Sequence, residues 1–183
     1  MYLCSQINLN LKIMRKILLI CTMAILVFAC KSASTAPAAP EPVSNAPMTK
    51  LDKASQVGIK GNWQIASVSY PGSNYITVNS FNLADSKCFV GSTWKFISNN
   101  NKGNMTLNSP NCTAFTSEIT WYVNKEGQFV LKILDEGLKS KKVKTGFVLG
   151  VRNQTETSFE LVDKINVGST PTDVVYQFQK VNQ

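Results

Sequence analysis

Phe115-Thr-Ser-Glu-Ile-Thr-Trp-Tyr-Val123 is the clearest structural signal in this chain of 183 residues. Ile119 and Trp121 fall on one side of an extended backbone, whereas Glu118 and Tyr122 fall on the other. This period of two is typical of a β-strand with one face in a core and the other in water. We therefore predict a half-buried strand over residues 115–123.

Similar short runs precede and follow this strand, and sequences typical of turns separate most of them. The other predicted strands are Gly61–Tyr70, Tyr75–Val78, Cys88–Ile97, Asn104–Asn108, Gln128–Leu134, Val143–Val151, Ser158–Asp163 and Val174–Val181. A meander of this size has to protect its edge strands, and closure into a barrel is the usual way. The prediction for residues 58–183 is an all-β fold, an antiparallel up-and-down β-barrel of about eight strands without a long C-terminal helix.

The N-terminal region has the pattern of a secretory signal. Arg15-Lys16 precede the apolar run Ile17–Phe28, which is shorter than the ~18–20 residues that span a bilayer. Val27-Phe28-Ala29-Cys30 resembles the lipobox of bacterial lipoproteins, in which the cysteine thiol receives a diacylglyceryl group. We predict a signal peptide over residues 1–29 and lipidation of Cys30. An ordinary secretory signal, or an uncleaved anchor with an incidental cysteine, is the alternative.

Residues 30–57 are predicted to be the lipidated cysteine followed by a flexible linker. Lys31–Pro47 is rich in Ala, Ser, Thr and Pro and lacks the apolar content of a folded segment. From Met48 to Ile59 the apolar spacing permits one or two helical turns. Met14 is itself a natural start for the signal, so we take it as the candidate initiator in place of Met1.

Cys88 and Cys112 are the cysteines of the predicted domain, an even pair without the spacing of a zinc site. They lie at nearly equal distances on either side of the Asn-rich loop Ser98–Gly103, so the predicted hairpin makes them near cross-strand partners. The Cβ atoms of such partners come within reach of a disulfide. We predict a Cys88–Cys112 disulfide, and two buried free thiols are the alternative.

The chain contains no histidine, which removes Ser-His-Asp and Cys-His catalysis, HExxH proteases and most transition-metal sites. It also lacks a glycine-rich phosphate loop and a convincing pair of catalytic carboxylates. The net charge is +8, but the basic residues are mostly scattered, unlike those of a nucleic-acid-binding protein. We expect a protein that is not an enzyme and has no cofactor, no metal and no nucleic-acid partner.

One cluster of positive charge stands out, and it consists of Lys139, Lys141, Lys142 and Lys144. It could contact anionic lipid heads, lipopolysaccharide or an acidic partner. The expected role is the simpler one, in which lysines protect an exposed strand edge from pairing with another chain.

Two groups of residues resemble a known family. Gly61-Asn62-Trp63, at the start of the first strand, resembles the G-x-W signature of lipocalins, in which the tryptophan closes one end of an eight-stranded barrel. The series Cys88–Phe96, Cys112 and Trp121 resembles the lipocalin-like lipoproteins of Bacteroidetes. The resemblance covers Ile59–Lys180.

The resemblance also implies a role for a basic side chain, because in lipocalins such a residue stacks on the tryptophan of the signature. Arg152 and Lys180 are the candidates to stack on Trp63. A bacterial envelope location is implied as well, with the membrane bound through Cys30. Lys31-Ser32 lacks both the Asp of inner-membrane retention and the acidic cluster of surface export, so we expect an outer-membrane anchor facing the periplasm.

The interior of an eight-stranded barrel is either filled by side chains or holds one small ligand. If a pocket exists, its expected walls are Trp94, Phe96, Ile119 and Trp121. The leading hypothesis is a lipid-anchored barrel that binds a small hydrophobic or amphipathic molecule. The alternative is an interaction or inhibitor-type envelope lipoprotein with a filled barrel, whose protein partner the sequence does not identify.

Overall fold

The computed structural model of the chain describes residues 46–70, 77–134, 137, 139 and 141–182. The predicted signal peptide, the candidate initiator Met14 and the lipidation site Cys30 lie outside the described residues. They therefore stay predictions.

The described part of the chain is built almost entirely of β-strands. It contains one short α-helix, α1 (Lys53–Gly58), and one 3-10 helix, η1 (Ser86–Phe89). The strands are β1 (Gly61–Ser69), β2 (Asn79–Ser80), β3 (Ala84–Asp85), β4 (Thr93–Ile97), β5 (Lys102–Leu107), β6 (Phe115–Val123), β7 (Phe129–Ile133), β8 (Phe147–Arg152), β9 (Ser158–Val167) and β10 (Thr170–Lys180).

Eight of these strands form a closed antiparallel barrel in the order β1-β10-β9-β8-β7-β6-β5-β4. β1 closes the barrel because it pairs with β10 on one side and with β4 on the other. β2 and β3 pair only with each other, in the connection between β1 and β4. No helix follows β10 within the described residues. The predicted all-β, eight-stranded, up-and-down barrel is confirmed.

The inner face of the barrel follows the sequence alternation that predicted β6. Ile119 and Trp121 are fully buried, whereas Glu118 and Tyr122 are exposed on the outer face. Trp121 lies opposite Leu131 on β7, which also faces the interior. Side chains alternate between the two faces of a strand, and directly paired residues point to the same face of the sheet. The pairing of β6 therefore also shows which residues of its neighbouring strands face the interior.

The interior contains a continuous group of aromatic rings centred on Phe96. Its ring lies 5.3 Å from that of Trp121, 5.7 Å from that of Phe129 and 6.1 Å from that of Phe178. Edge-to-face and offset arrangements at these distances are the favourable ones for aromatic pairs. Gly103 leaves no space for a side chain next to β4, because a Cβ at that position would collide with the Lys95 carbonyl oxygen and press on Ile119.

The start of the barrel domain is earlier than residue 58. The Thr49 N–H donates to the Val151 carbonyl oxygen at 2.6 Å, and the Leu51 N–H donates to that of Gly127 at 2.9 Å. Leu51 is buried in the core cluster. Asp52 then caps α1 by accepting a hydrogen bond from the Ser55 N–H at 2.8 Å. The last part of the predicted linker, residues 46–57, is therefore packed against the barrel, with the helical turns that its apolar spacing permits.

Two predicted strands begin too early. Cys88 lies in η1 and not in a strand, because Asp85 caps a 3-10 turn by accepting from the Lys87 N–H at 2.9 Å, and β4 begins at Thr93. β8 begins at Phe147 and not at Val143. The hydrogen bond that forms η1 is local, and hydrophobic alternation does not predict it.

Candidate functional site

The barrel has two different ends. The closed end has short connections between strands, and these are residues 98–101, 124–128 and 153–157. The loop end carries the long connection between β1 and β4, together with the connections that follow β5, β7 and β9. We use these two names below.

Trp63 lies at the closed end and is almost completely buried. Its indole N–H donates to the Ile59 carbonyl oxygen, with 2.8 Å between Nε1 and O. Its ring meets the Phe159 ring edge-on, at 4.6 Å between centroids. Lys180 Nζ lies 5.7 Å from the centre of the Trp63 ring, so Lys180 is the basic residue on this tryptophan.

Arg152, the other candidate for that stacking role, belongs to a different cluster. Its Nε lies 3.5 Å from Glu160 Oε2, and its NH1 lies 3.9 Å from Asp173 Oδ2. NH1 also donates to the Ala46 carbonyl oxygen at 3.4 Å. Both Arg152 and Glu160 are buried, so the cluster joins residues 46–52, which we call the lead-in segment, to β8, β9 and β10.

The structure brings the four predicted ligand residues together inside the barrel. Their side chains are only 0–2% exposed, and they are Trp94, Phe96, Ile119 and Trp121. A side chain that lined an open cavity would keep surface that water could reach. These four therefore fill the interior in this structure, and a direct role in ligand contact stays a prediction.

The loop end is closed by Phe81, which comes from the turn between β2 and β3 and not from a barrel strand. Its side chain is 6% exposed. The Phe81 ring stacks on Tyr176 at 5.0 Å and 29°. It meets Phe89 and Phe147 edge-on, each at 5.2 Å, and lies 6.4 Å from Trp94. We call these four surrounding side chains the aromatic cage.

The backbone that carries Phe81 has an unusual conformation. Phe81 has φ 55° and Asn82 has φ 54°, so two successive residues other than glycine are left-handed. Asn tolerates this region, but a bulky residue such as Phe does so at a cost of about 1–2 kcal/mol. The sequence predicts no role for Phe81. The available signal is an aromatic residue between two polar ones, Ser80 and Asn82, outside the predicted strands.

Several polar groups lie beside the aromatic cage or in the loop that carries Phe81. The Tyr176 hydroxyl donates to Ser80 Oγ at 2.6 Å. Burial raises the pKa of Tyr176 well above its usual value, although the Ser80 hydrogen bond opposes the shift. Asp163 lies on the inner face of β9 opposite Val174, and burial raises the pKa of its carboxyl group. Ser86 Oγ is buried and has no hydrogen-bond partner among the described residues.

The predicted Cys88–Cys112 disulfide is confirmed, with 5.8 Å between the two Cα atoms. It is not the cross-strand pair that the spacing suggested. Cys88 lies in η1, and Cys112 lies in the connection between β5 and β6, where its N–H donates to the Ser109 carbonyl oxygen. The disulfide therefore ties two connections together at the loop end.

The loop end also has an apolar rim of partly buried side chains that pack against the core. The rim consists of Val68, Phe115, Ile133, Phe147 and Ile165, at the loop-end parts of five strands. At the closed end the inward side chains Trp63, Phe129 and Phe159 are buried, and Val123 is a partly buried one. Partly exposed apolar surface around the interior is therefore concentrated at the loop end.

The four clustered lysines lie at the same end of the barrel. Lys139, Lys141, Lys142 and Lys144 are exposed and belong to the connection between β7 and β8. The expected role in protecting a strand edge is wrong, because the lysines are not on a strand and β7 and β8 are both paired within a closed barrel.

A separate cavity of about 500 Å³ lies outside the barrel. Its lining includes Met48 and Lys50 of the lead-in segment together with Val148, Val162 and Lys164 of β8 and β9. Within the described part of the chain, no group of three or more Cys, Asp or Glu side chains could hold a metal ion. Among those same residues, no helix has the length and apolar character needed to cross a membrane.

Two solved structures that resemble the chain are complexes of bovine odorant-binding protein. The complex with a selenium-containing odorant has a TM-score of 0.42 and 9% sequence identity, and the match covers 76% of this chain and 79% of that chain. The complex with its natural ligand has a TM-score of 0.40 and 9% identity, with 75% and 78% covered. No curated protein matches the chain.

The family comparison agrees with the barrel and with the resemblance of Gly61 and Trp63 to a lipocalin signature. The family model described as the lipocalin-like domain matches residues 59–161, which is more than half of the chain. The matched range begins just before β1 and ends within β9. The chain therefore belongs to the family of lipocalin-like domains.

Proposed function

We propose that this chain is a lipid-anchored protein of the bacterial cell envelope whose barrel binds a small hydrophobic or amphipathic molecule at the loop end. The observation that carries the proposal is the partly exposed apolar rim around Phe81, a side chain delivered by a loop. A lipocalin-like barrel is itself suited to small hydrophobic molecules. Because side chains fill the interior towards the closed end, the ligand occupies only the part of the barrel next to the loop end.

The driving force for binding is the removal of apolar surface from water, worth about 25 cal/mol for each Å² buried. The exposed lysines of the connection between β7 and β8 favour a ligand with an anionic head group, which would remain at the rim near Lys142 and Lys144. The apolar part of such a ligand enters the barrel, and its charge stays in water.

The anchoring part of the proposal comes from the sequence. A short apolar run before Ala29-Cys30 supports cleavage by a lipoprotein signal peptidase and lipidation of Cys30. Two or three acyl chains hold a protein on a membrane far more durably than one. The Cys88–Cys112 disulfide is consistent with the oxidising periplasm, and we propose an outer-membrane anchor that faces it.

Labelling of growing cells with radioactive palmitate tests the anchor. The wild-type chain should carry the label and sediment with membranes, whereas Cys30→Ser should lose the label. Equal labelling of Cys30→Ser and the wild type would refute lipidation at this residue. N-terminal sequencing of the unprocessed precursor would decide between Met14 and Met1.

Native mass spectrometry of the purified full chain tests ligand binding. We expect an added mass that disappears on denaturation, either as purified or after addition of decanoic acid or farnesol. Only the bare protein mass under all three conditions would refute the binding proposal. The same spectrum of the denatured protein checks the disulfide, which removes about two mass units relative to the free thiols.

One observation favours a second candidate function, an interaction or inhibitor-type lipoprotein that presents its loops to another protein. The observation is the packed interior, in which Phe96, Ile119 and Trp121 leave little or no surface for water. The bare mass in the experiment above would favour this second candidate.

A further inference from the structure

We infer that the Phe81 side chain occupies the place of the ligand, and that the aromatic cage around it is a site for a planar aromatic group with a hydrogen-bonding oxygen. This inference rests on the proposed function, because it names the chemical class of the molecule bound at the loop end. A ligand of this class enters by displacing Phe81.

The shape of the aromatic cage is specific for a flat ring. Tyr176 offers its face at 5.0 Å, whereas Phe89 and Phe147 make edge-to-face contacts at 5.2 Å each. These three rings come from β10, η1 and β8, so their positions are set by separate elements of the fold. Aromatic pairs gain stability in these geometries beyond the area that they bury. A puckered saturated ring or an alkyl chain fills the same space without that gain.

Phe81 is held less firmly than the other rings of the interior. It lies at the tip of a hairpin whose strands, β2 and β3, have two residues each. Its own backbone is left-handed, and the nearby Ser86 hydroxyl is buried without a partner among the described residues. By contrast, Phe178 stacks on Phe159 within two long paired strands. Displacement of Phe81 therefore leaves the barrel strands paired.

Displacement of Phe81 breaks a hydrogen bond of Tyr176, and the oxygen of the proposed ligand takes the place of the lost acceptor. The buried Tyr176 hydroxyl donates to Ser80 Oγ, and Ser80 is the residue before Phe81. When the hairpin withdraws, Tyr176 loses its acceptor and gains a ligand oxygen in its place. Unpaired buried hydroxyls are unfavourable, so a ligand that supplies an acceptor is preferred.

One wall of the aromatic cage stays in place during this exchange. Phe89 directly follows Cys88, and the disulfide to Cys112 ties this part of the loop to the connection between β5 and β6. The moving part is therefore the β2–β3 hairpin, and the remaining rings form a fixed site.

The test uses phenol and cyclohexanol, which have the same ring size and the same hydroxyl group but differ in planarity. Dissociation constants are measured by NMR titration of the full chain, as wild type and as Phe81→Ala. Phenol should bind Phe81→Ala at least about tenfold more tightly than wild type, because no side chain has to leave first. Phenol should also bind Phe81→Ala more tightly than cyclohexanol.

Two further variants complete the design. Phe81→Asn removes the ring from the aromatic cage and introduces a residue that tolerates the left-handed backbone. The same dissociation constants are measured on this variant if Phe81→Ala does not fold. Phe129→Ala is the matched control, since Phe129 is buried at the closed end and stacks on Trp121. Phe129→Ala also removes a phenylalanine side chain, but it should not bind phenol more tightly than cyclohexanol.

Equal binding of phenol and cyclohexanol to Phe81→Ala would overturn the aromatic preference and leave the proposed function standing. The same preference in Phe129→Ala would also overturn it, because any aromatic-lined hole would then suffice. Failure of both probes to bind wild type, Phe81→Ala and Phe81→Asn would overturn the inference, whereas the proposed function is overturned only by the bare mass in the experiment with decanoic acid and farnesol.

Discussion

The two ends of the barrel are both closed by an aromatic side chain, but the two side chains are held differently. Trp63 belongs to β1, a barrel strand paired on both sides, and its indole N–H is bound to a backbone carbonyl. Phe81 belongs to a two-residue hairpin in a connection and has a left-handed backbone. Loss of the Trp63 side chain would leave a cavity among the buried side chains of the barrel strands, whereas the hairpin that carries Phe81 is not paired with a barrel strand. Trp63 is thus tied to the barrel itself, and the proposed ligand site lies at the other end.

The largest expected effect is on the closed end. Trp63→Ala should lower the free energy of unfolding by about 3–5 kcal/mol, because it opens a cavity among Phe159 and its neighbours. Denaturant unfolding followed by circular dichroism measures the change. Tyr122→Ala, on the exposed outer face of β6, is the control and should change stability little. If Trp63→Ala lost as little stability as Tyr122→Ala, Trp63 would not be a main source of stability at the closed end.

The next effect concerns the loop end. The double variant Cys88→Ala and Cys112→Ala should lower the free energy of unfolding by about 2–4 kcal/mol, because the unfolded chain regains the freedom of the closed loop. In the folded state, hydrogen exchange should rise in residues 86–92 and 108–114, and it should stay unchanged around Trp63. A uniform rise over the whole barrel would show that the two ends are not independent.

A smaller effect is expected from the cation at the closed end. Lys180→Ala should reduce the free energy of unfolding by about 0.5–1 kcal/mol, since it removes the charge over the Trp63 ring. Lys180→Arg keeps a cation there and should retain most of this stability. Lys144→Ala, an exposed lysine of the loop end, serves as the matched control. Equal losses for Lys180→Ala and Lys144→Ala would contradict a contribution from the Trp63 ring.

The smallest effect depends on pH and concerns the inner face of β9. Burial raises the pKa of Asp163 above its reference value of 3.8, so the folded protein loses stability as the pH rises from that value through the raised pKa. Asp163→Asn should therefore be more thermostable than wild type at pH 7 and no more stable at pH 3. Glu118→Gln, on the exposed outer face, is the control. A stabilisation by Asp163→Asn that is the same at both pH values would argue against this cause.

The barrel could be predicted from the sequence because apolar and polar residues alternate along its strands, and the apolar ones face the interior. In β6, Ile119 and Trp121 are buried and Glu118 is exposed, as the pattern requires. The same pattern could not report η1, which depends on the cap at Asp85, so Cys88 was placed on a strand and its disulfide in a hairpin.

The candidate site was only partly predictable, for a different physical reason. Trp94 is predicted to line a ligand site, and it is one of the four side chains of the aromatic cage. No role is predicted for Phe81 because a left-handed phenylalanine contradicts local preference and packs mainly against rings that are distant in sequence, such as those of Tyr176 and Phe147. Such a residue becomes visible only when the tertiary structure brings those rings together.

The lead-in segment has a mechanical consequence. Ala46 is bound to Arg152, Thr49 to Val151 and Leu51 to Gly127, so the chain joins the barrel at the closed end. If Cys30 is anchored, the 15 residues between it and Ala46 reach at most ~50 Å. Any pull on such a tether would enter the barrel through Ala46, Thr49 and Leu51 at the closed end, and it would not act directly on the connections of the loop end.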